Sequence, residues 1–173
     1  MKVGVRLFSV SLAFAAAAFT ASCYDEGETQ STTGPNLSAG TERFIANLNG
    51  ANERPNPVQS TGSGTAELII FGNDSVFFDV KIGQIDSVTL SHIHAGDVNT
   101  AGGIIFGWPN NTATTSFPAT TPFHSGMIRR TSTFSGIYTF DSLLTRIRAG
   151  TAYANVHTRR YGAGEIRGNF VRQ

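Results

Sequence analysis

The chain has a single cysteine, Cys23, so no disulfide can form within it. Charge is sparse. Only 14% of the 173 residues are Asp, Glu, Lys or Arg, and they sum to +1. With no nucleic-acid recognition motif and no overall basic excess, nucleic acid is excluded as the expected partner. There is no G-x-S-x-G elbow, no phosphate-binding loop and no cysteine after residue 23 to act as a nucleophile. Paired carboxylates placed for glycoside hydrolysis are not apparent either. The longest apolar run, Leu7 to Phe19, falls short of the roughly 20 residues that a membrane helix needs.

That run has a different meaning. Lys2 and Arg6 precede it, and the small residues of "TAS" follow it. A positive start, an apolar stretch and a small-residue end form a secretory signal peptide, here residues 1–22. Cys23 comes directly after, and the polar stretch "YDEGETQSTTGPN" comes next. The arrangement resembles a bacterial lipoprotein signal, in which the cysteine becomes the lipidated N-terminus. Thr20 stands where such signals usually carry Leu. Residues 23–40 hold too little apolar surface to fold and read as a solvated tether. The expectation is an exported protein of the cell envelope, held on a membrane through Cys23.

From residue 41 the composition changes character. Gly (19 in all) and Phe (13 in all) are abundant, with Thr, Ser and Ile. Such a mixture suits strands rather than helices. Apolar residues alternate with polar ones in "RFIANLNG", "GTAELIIF", "VFFDVKIG", "DSVTLSHIH", "GGIIFGW", "TFSGIYTF", "TAYANVHT" and "GEIRGNFV", with Gly, Asn and Asp at the breaks. Period-two patterning with such punctuation predicts an all-β antiparallel sandwich or barrel over 41–173. One stretch differs. Leu143, Leu144 and Ile147 have helical spacing, which predicts a short helix near 141–149, capped by Asp141 or Ser142 and ended by Gly150. The Pro/Thr/Asn-rich segment 108–126 reads as a long surface loop. Trp108 at its start either packs over a sheet edge or stands exposed to anchor a partner.

Eight arginines fall between residue 124 and the end, against two acids, Asp141 and Glu165. Either they spread over several strand faces and pair with acids of the first half, or they form a patch for a polyanion. Arg129, Arg130, Arg159 and Arg160 are the candidates for the second reading, with an acidic polysaccharide or lipid headgroups as ligand.

Four short stretches stand out: "GANERP" (50–55), "SHIHAG" (91–96), "YANVHT" (153–158) and "GEIRGNF" (164–170). In order and spacing they resemble the CHRD domain, the module named after chordin and found alone in many bacterial exported proteins. The resemblance runs from about Arg43 to Phe170. It implies an immunoglobulin-like β-sandwich and brings no established catalytic activity. The insertion before His124 is longer than in compact family members, and "RRYGAGE" replaces a Pro-containing turn.

Residues two apart on a strand share a face. His92 and His94 therefore point the same way, on the face expected to carry Val88 and Leu90, inward or toward the mouth of the sandwich. His157 shares a face with Tyr153 and Asn155. If the two strands are neighbours, three imidazoles converge, enough for copper or zinc with an open position. His124 is an unconstrained fourth candidate. The Cu,Zn superoxide dismutases also place an H-x-H pair on an immunoglobulin-like sandwich. Their pattern also needs further histidines, a His/Asp-rich loop and a disulfide, and this chain has neither the loop nor the disulfide. The alternative is structural: neutral histidines bonded to carbonyls, Thr89, Thr158 or Glu53. Glu53, Glu165 and Arg167 read as an ion-pair or hydrogen-bond network closing the sandwich, with Gly164 and Gly168 allowing close approach. Glu53 is also a candidate metal ligand, or a hydrogen-bond partner of a ligating histidine. A non-catalytic binding module, with an unidentified protein or polysaccharide partner, is the leading functional expectation. A metal-binding or redox protein and a polyanion-binding module are the rivals.

Overall fold

The computed structural model describes residues 40–109 and 115–173. The signal peptide, Cys23 and nearly all of the tether lie outside the described residues. The described chain forms ten strands and one α-helix. Every strand pairing is antiparallel.

The alternating runs become strands where they were expected. In β1 (Thr41–Asn49), Phe44, Ala46 and Leu48 are buried; in β2 (Ser63–Phe71), so are Ala66, Leu68 and Ile70. In β3 (Ser75–Gly83) the buried set is Val76, Phe78, Val80 and Ile82. Register aligns these faces. Leu68 lies opposite Phe44 on one side and Phe78 on the other. Each such fully buried Leu, Ile, Val or Phe contributes about 1.5–3 kcal/mol from leaving water. Next come β4 (Ile85–Ala95), β5 (Ile104–Gly107), β6 (Thr115–Phe117) and β7 (Thr121–Arg129). The helix α1 (Phe140–Arg148) precedes β8 (Ala152–Thr158), β9 (Ile166–Asn169) and β10 (Val171–Arg172).

The main path through the sheet is β5-β4-β8-β9-β1-β2-β3-β7, with β10 on β1 and β6 on β4. The sandwich is therefore one curled sheet. Its far parts meet across the core, where Phe78 of β3 touches Phe106 of β5 and the buried Trp108 ring, with centroids 6.4 and 6.0 Å apart. Trp108 thus takes the packing role.

Two segments differ from the sequence expectation. The segment 108–126 is not wholly loop. It contains β6 and most of β7, which adds to the edge of β3 with Phe78 opposite Gly126. A Cβ on Gly126 would come within 3.0 Å of the Phe78 ring, so glycine lets the strand lie close. Pro122 is tolerated because β7 ends the main path, where an unpaired backbone is allowed. "TFSGIYTF", expected as a strand, is instead a turn leading into α1. Phe134 and Tyr138 rest against the core, but Gly136 at φ +60° turns the backbone between them and leaves Ile137 92% exposed, so no strand forms. The helix begins one residue early. Thr139, not Asp141 or Ser142, is its N-cap and forms a capping box with Ser142. Gly150, at φ +69°, follows its end as expected.

Leu68 is fully buried. Leu68→Ala should lower the unfolding free energy by about 2–5 kcal/mol. Ile137→Ala should change it by less than about 0.5 kcal/mol. Denaturant titration of both variants checks the pair.

Candidate metal centre

The site depends on a shift of register in β4. Val88 pairs with Thr158, but Leu90 pairs with His157, so one residue of β4 is extra at this point. A bulge of this kind reverses which residues face which side. Val88 is buried in the core, whereas after the bulge the core side is Ser91, Ile93 and Ala95. Leu90, His92 and His94 take the other side, and Leu90 is 42% exposed. The histidines therefore do not share the face of Val88 and do not point into the core. They occupy the opposite side of the sheet, with Leu90 as expected, buried beneath loops.

On β8, Tyr153, Asn155 and His157 lie opposite His94, His92 and Leu90. On β9, Arg167 and Asn169 lie opposite Asn155 and Tyr153. Antiparallel partners share a face, so polar residues from three adjacent strands form one layer.

His92, His94 and His157 converge within it. Each offers a ring nitrogen, and the three nitrogens lie within 4.8 Å of one another. His92 Nδ1 is hydrogen-bonded to His157 Nε2 at 3.1 Å, through a proton that an ion would displace. Metal–imidazole bonds of about 2.0–2.1 Å place two ligating nitrogens roughly 3.3 Å apart in a tetrahedral site and at most about 4.2 Å apart in any site, so the His92–His157 pair is already at ligating distance and the 4.8 Å span of the trio needs a small ring movement to close on an ion. The outer nitrogens are held by backbone. His94 Nδ1 donates to the Gly102 carbonyl at 2.9 Å, and His157 Nδ1 donates to the Gly162 carbonyl at 3.1 Å. A carbonyl can only accept, so both Nδ1 atoms carry the proton and both Nε2 atoms present a lone pair. His94 Nε2 is buried with no hydrogen-bond partner.

Burial, then the neighbouring His157 and His94, holds His92 down to about 4. Burial, with His157 and Arg167 adding to it and the Gly102 bond opposing it, holds His94 down to about 4. Burial also lowers His157. All three rings are neutral at pH 7, the form that binds a metal.

Around the trio is a hydrogen-bonded frame. Asn155 Nδ2 donates to both carboxylate oxygens of the buried Glu53, at 3.1 and 3.2 Å. Burial outweighs that bond and the pull of Arg167, and raises Glu53 to about 7. Tyr153 stacks on His94 with centroids 5.1 Å apart, and the Arg167 guanidinium lies 3.6 Å from the centre of the same tyrosine ring. Arg167 donates to the carbonyls of Asp97 and Thr100 at 2.5 and 2.8 Å. Glu165 accepts from Ser60 and Thr158 hydroxyls, both at 2.6 Å. The network is thus one of hydrogen bonds. Among the described residues, neither Glu53 nor Glu165 forms an ion pair with an arginine; their carboxylates accept from an amide and from hydroxyls instead. Gly164 permits the closure, since a Cβ there would sit 2.6 Å from Asn155 Oδ1 and 2.8 Å from Glu53 Oε1. Gly168 does the same against the Asn47 carbonyl, at 2.4 Å.

A model of the CHRD domain matches residues 44–170. The chain belongs to the CHRD domain family. No curated protein and no solved structure matches it. The four stretches that carry the CHRD resemblance supply the layer. "GANERP" brings Glu53, "SHIHAG" brings His92 and His94, "YANVHT" brings Tyr153, Asn155 and His157, and "GEIRGNF" brings Glu165 and Arg167. Sequence reasoning gave no role to Asn155 or Tyr153, although their alternation with His157 placed them on its face. It also did not reach the carbonyls of Gly102 and Gly162, which carry no side-chain signal.

Other candidates stand apart. His124 is on β7, against the Phe123 ring, and outside the trio. Arg129 lies opposite Ser75 at the start of β3, and Arg130 holds Asp141 through two contacts, at 2.9 and 2.8 Å. Arg159 and Arg160 line a cleft with Gln84, just past the other end of β3. The two arginine pairs of the CHRD domain are thus at opposite ends of a nine-residue strand, roughly 25–30 Å apart.

The site contributes to the pH response of stability. Histidines whose pKa is depressed by folding stabilise the fold above about pH 6.5 and lose that contribution as pH falls toward 4. Glu53 acts oppositely. Its raised pKa contributes stability below about 4.5 that is lost as pH rises through 7. The unfolding free energy should fall between pH 6.5 and 4.5, and Glu53→Gln should steepen that fall by about 1.4 kcal/mol per pH unit. Denaturant midpoints across this window measure both slopes.

Proposed function

We propose that this CHRD-domain protein is an exported, lipid-anchored and non-catalytic module that holds one copper or zinc ion at the cell envelope through His92, His94 and His157. Membership of the CHRD family supports a binding or interaction module. The observation that carries the metal reading is the trio itself: three neutral imidazoles whose ligand nitrogens lie within 4.8 Å, two of them with Nδ1 held by a backbone carbonyl, so that Nε2 is the nitrogen each can offer. A purely structural role leaves His94 Nε2 buried and unbonded, which is costly, whereas an ion there satisfies it. The metal would sit on residues from two paired strands, with Gly102 and Gly162 orienting the rings. The separated arginine pairs support a polyanion surface less well.

The anchor rests on the first 40 residues: the charged start, the apolar run, Cys23 and the polar stretch after it. The lipid on Cys23 would be the attachment; among the described residues no helix is long and apolar enough to cross a membrane. A further protein or polysaccharide partner would meet the domain off that surface.

Untagged full-length protein, exposed to copper and zinc and then dialysed, should retain about one equivalent of metal. His92→Ala with His94→Ala should retain none. If the parent retains none and the double variant is merely less stable, the histidines are structural. Labelled palmitate should enter the parent and not Cys23→Ala; label that persists in the variant removes the anchor.

A further inference from the structure

Resting on the metal reading above, we propose that the ion for which this centre is built is monovalent copper rather than a dication.

Imidazole suits copper and zinc alike, so donor type does not decide between them. Charge does. The ligating group contains three histidines and no carboxylate. Glu53 is taken up by Asn155, and Glu165 by Ser60 and Thr158. Nothing in the donor set offsets the charge of the ion. The histidines are only 7%, 8% and 7% exposed, so water does little to solvate it. The cost of transferring an ion from water rises with the square of its charge, which makes it about fourfold larger for a dication.

A fixed positive charge adds to this. Arg167 is 1% exposed and lies over Tyr153, whose ring stacks on His94. In strand order Tyr153 stands between them. The contacts of Arg167 are neutral carbonyls, and among the described residues no carboxylate is within 4.0 Å of it. Two carboxyls act on it from farther away: Glu53, which burial keeps partly protonated at neutral pH, and Asp97, which is exposed, so water screens it. A guanidinium one ring away repels a dication twice as strongly as a monocation. Of the metals that imidazole suits, copper has an accessible monovalent state.

The test uses the full chain. Cu(I) is titrated without oxygen against a chromophoric Cu(I) chelator, and Cu(II) and Zn(II) are titrated separately against chelators of known affinity. The preference of the site for Cu(I) over Cu(II) is read from the midpoint potential of the bound copper. The parent should hold one Cu(I). Arg167→Met should lower the preference on the order of tenfold, and Arg167→Lys should lower it less. Glu53→Gln, which removes a negative charge, should leave the preference equal or raise it. It is the deciding variant if Arg167→Met does not fold. Zinc or Cu(II) held at one equivalent while Cu(I) is not retained overturns the monovalent assignment and leaves the metal centre standing. A folded Arg167→Met with unchanged preference, or a Glu53→Gln with lowered preference, overturns the charge argument. Retention of none of the three ions overturns the metal reading itself.

Discussion

One extra residue in β4 organises this domain. Without the register shift between Val88 and Leu90, strict alternation would carry His92 and His94 onto the side of Val88, among the core hydrophobics. Two imidazoles would then displace apolar volume in a close-packed interior, where even single methylene changes are felt, and His157 would be left alone on the far side. With the shift, Ile93 meets Ala154 in the core while His92 meets Asn155 on the far side. The core and the polar layer are thus two sides of the same strands, each complete.

The polar layer is buried, which is unusual for the outer side of a sheet and carries a cost. Buried polar groups need partners, and here loops supply them. The 96–103 loop gives carbonyls to His94 and Arg167, and the 158–164 loop gives one to His157. Gly96, at φ +146°, lets the first loop fold down, since a Cβ there would meet the Thr100 carbonyl at 2.4 Å and the Tyr153 ring at 2.9 Å. Some atoms remain without partners, among them His94 Nε2, Asn155 Oδ1 and two nitrogens of Arg167. Unsatisfied groups gathered around three neutral histidines mark a place where the fold gives up stability for a site.

The sequence disclosed the two halves of this design unequally. Strands β1, β2 and β3 were legible because each buries one face only, so alternation in the residues equals alternation in space. The helix was legible from Leu143, Leu144 and Ile147 and missed its cap by a few residues. Strand β7 was hidden by Pro122 and Gly126, residues that signal loops yet serve an edge strand lying over an aromatic ring. The convergence of the histidine pair with His157 was legible from type and spacing. The side of the sheet they occupy was not, because a bulge has no signature in "DSVTLSHIH": Val88 and Leu90 are both apolar and two apart, and only pairing with β8 reveals that they face opposite ways. The covered layer likewise required knowing which loops fold over it.

This arrangement also explains why the distinguishing stretches are so short and so far apart in the chain. The site occupies a contiguous run of strands, β4, β8 and β9, with the loop after β1 folded over it. Each strand contributes only two or three side chains to a layer, every second residue, so each leaves a motif a few residues long. The intervening strands β2, β3 and β7 contribute core and no layer, and generic alternation is enough for them. Two of the three imidazoles are oriented by carbonyls rather than by side chains. Residue identity in those loops is then weakly constrained, while their backbone path is strongly constrained. A loop such as "RRYGAGE" can replace a proline-containing turn and still present the Gly162 carbonyl to His157.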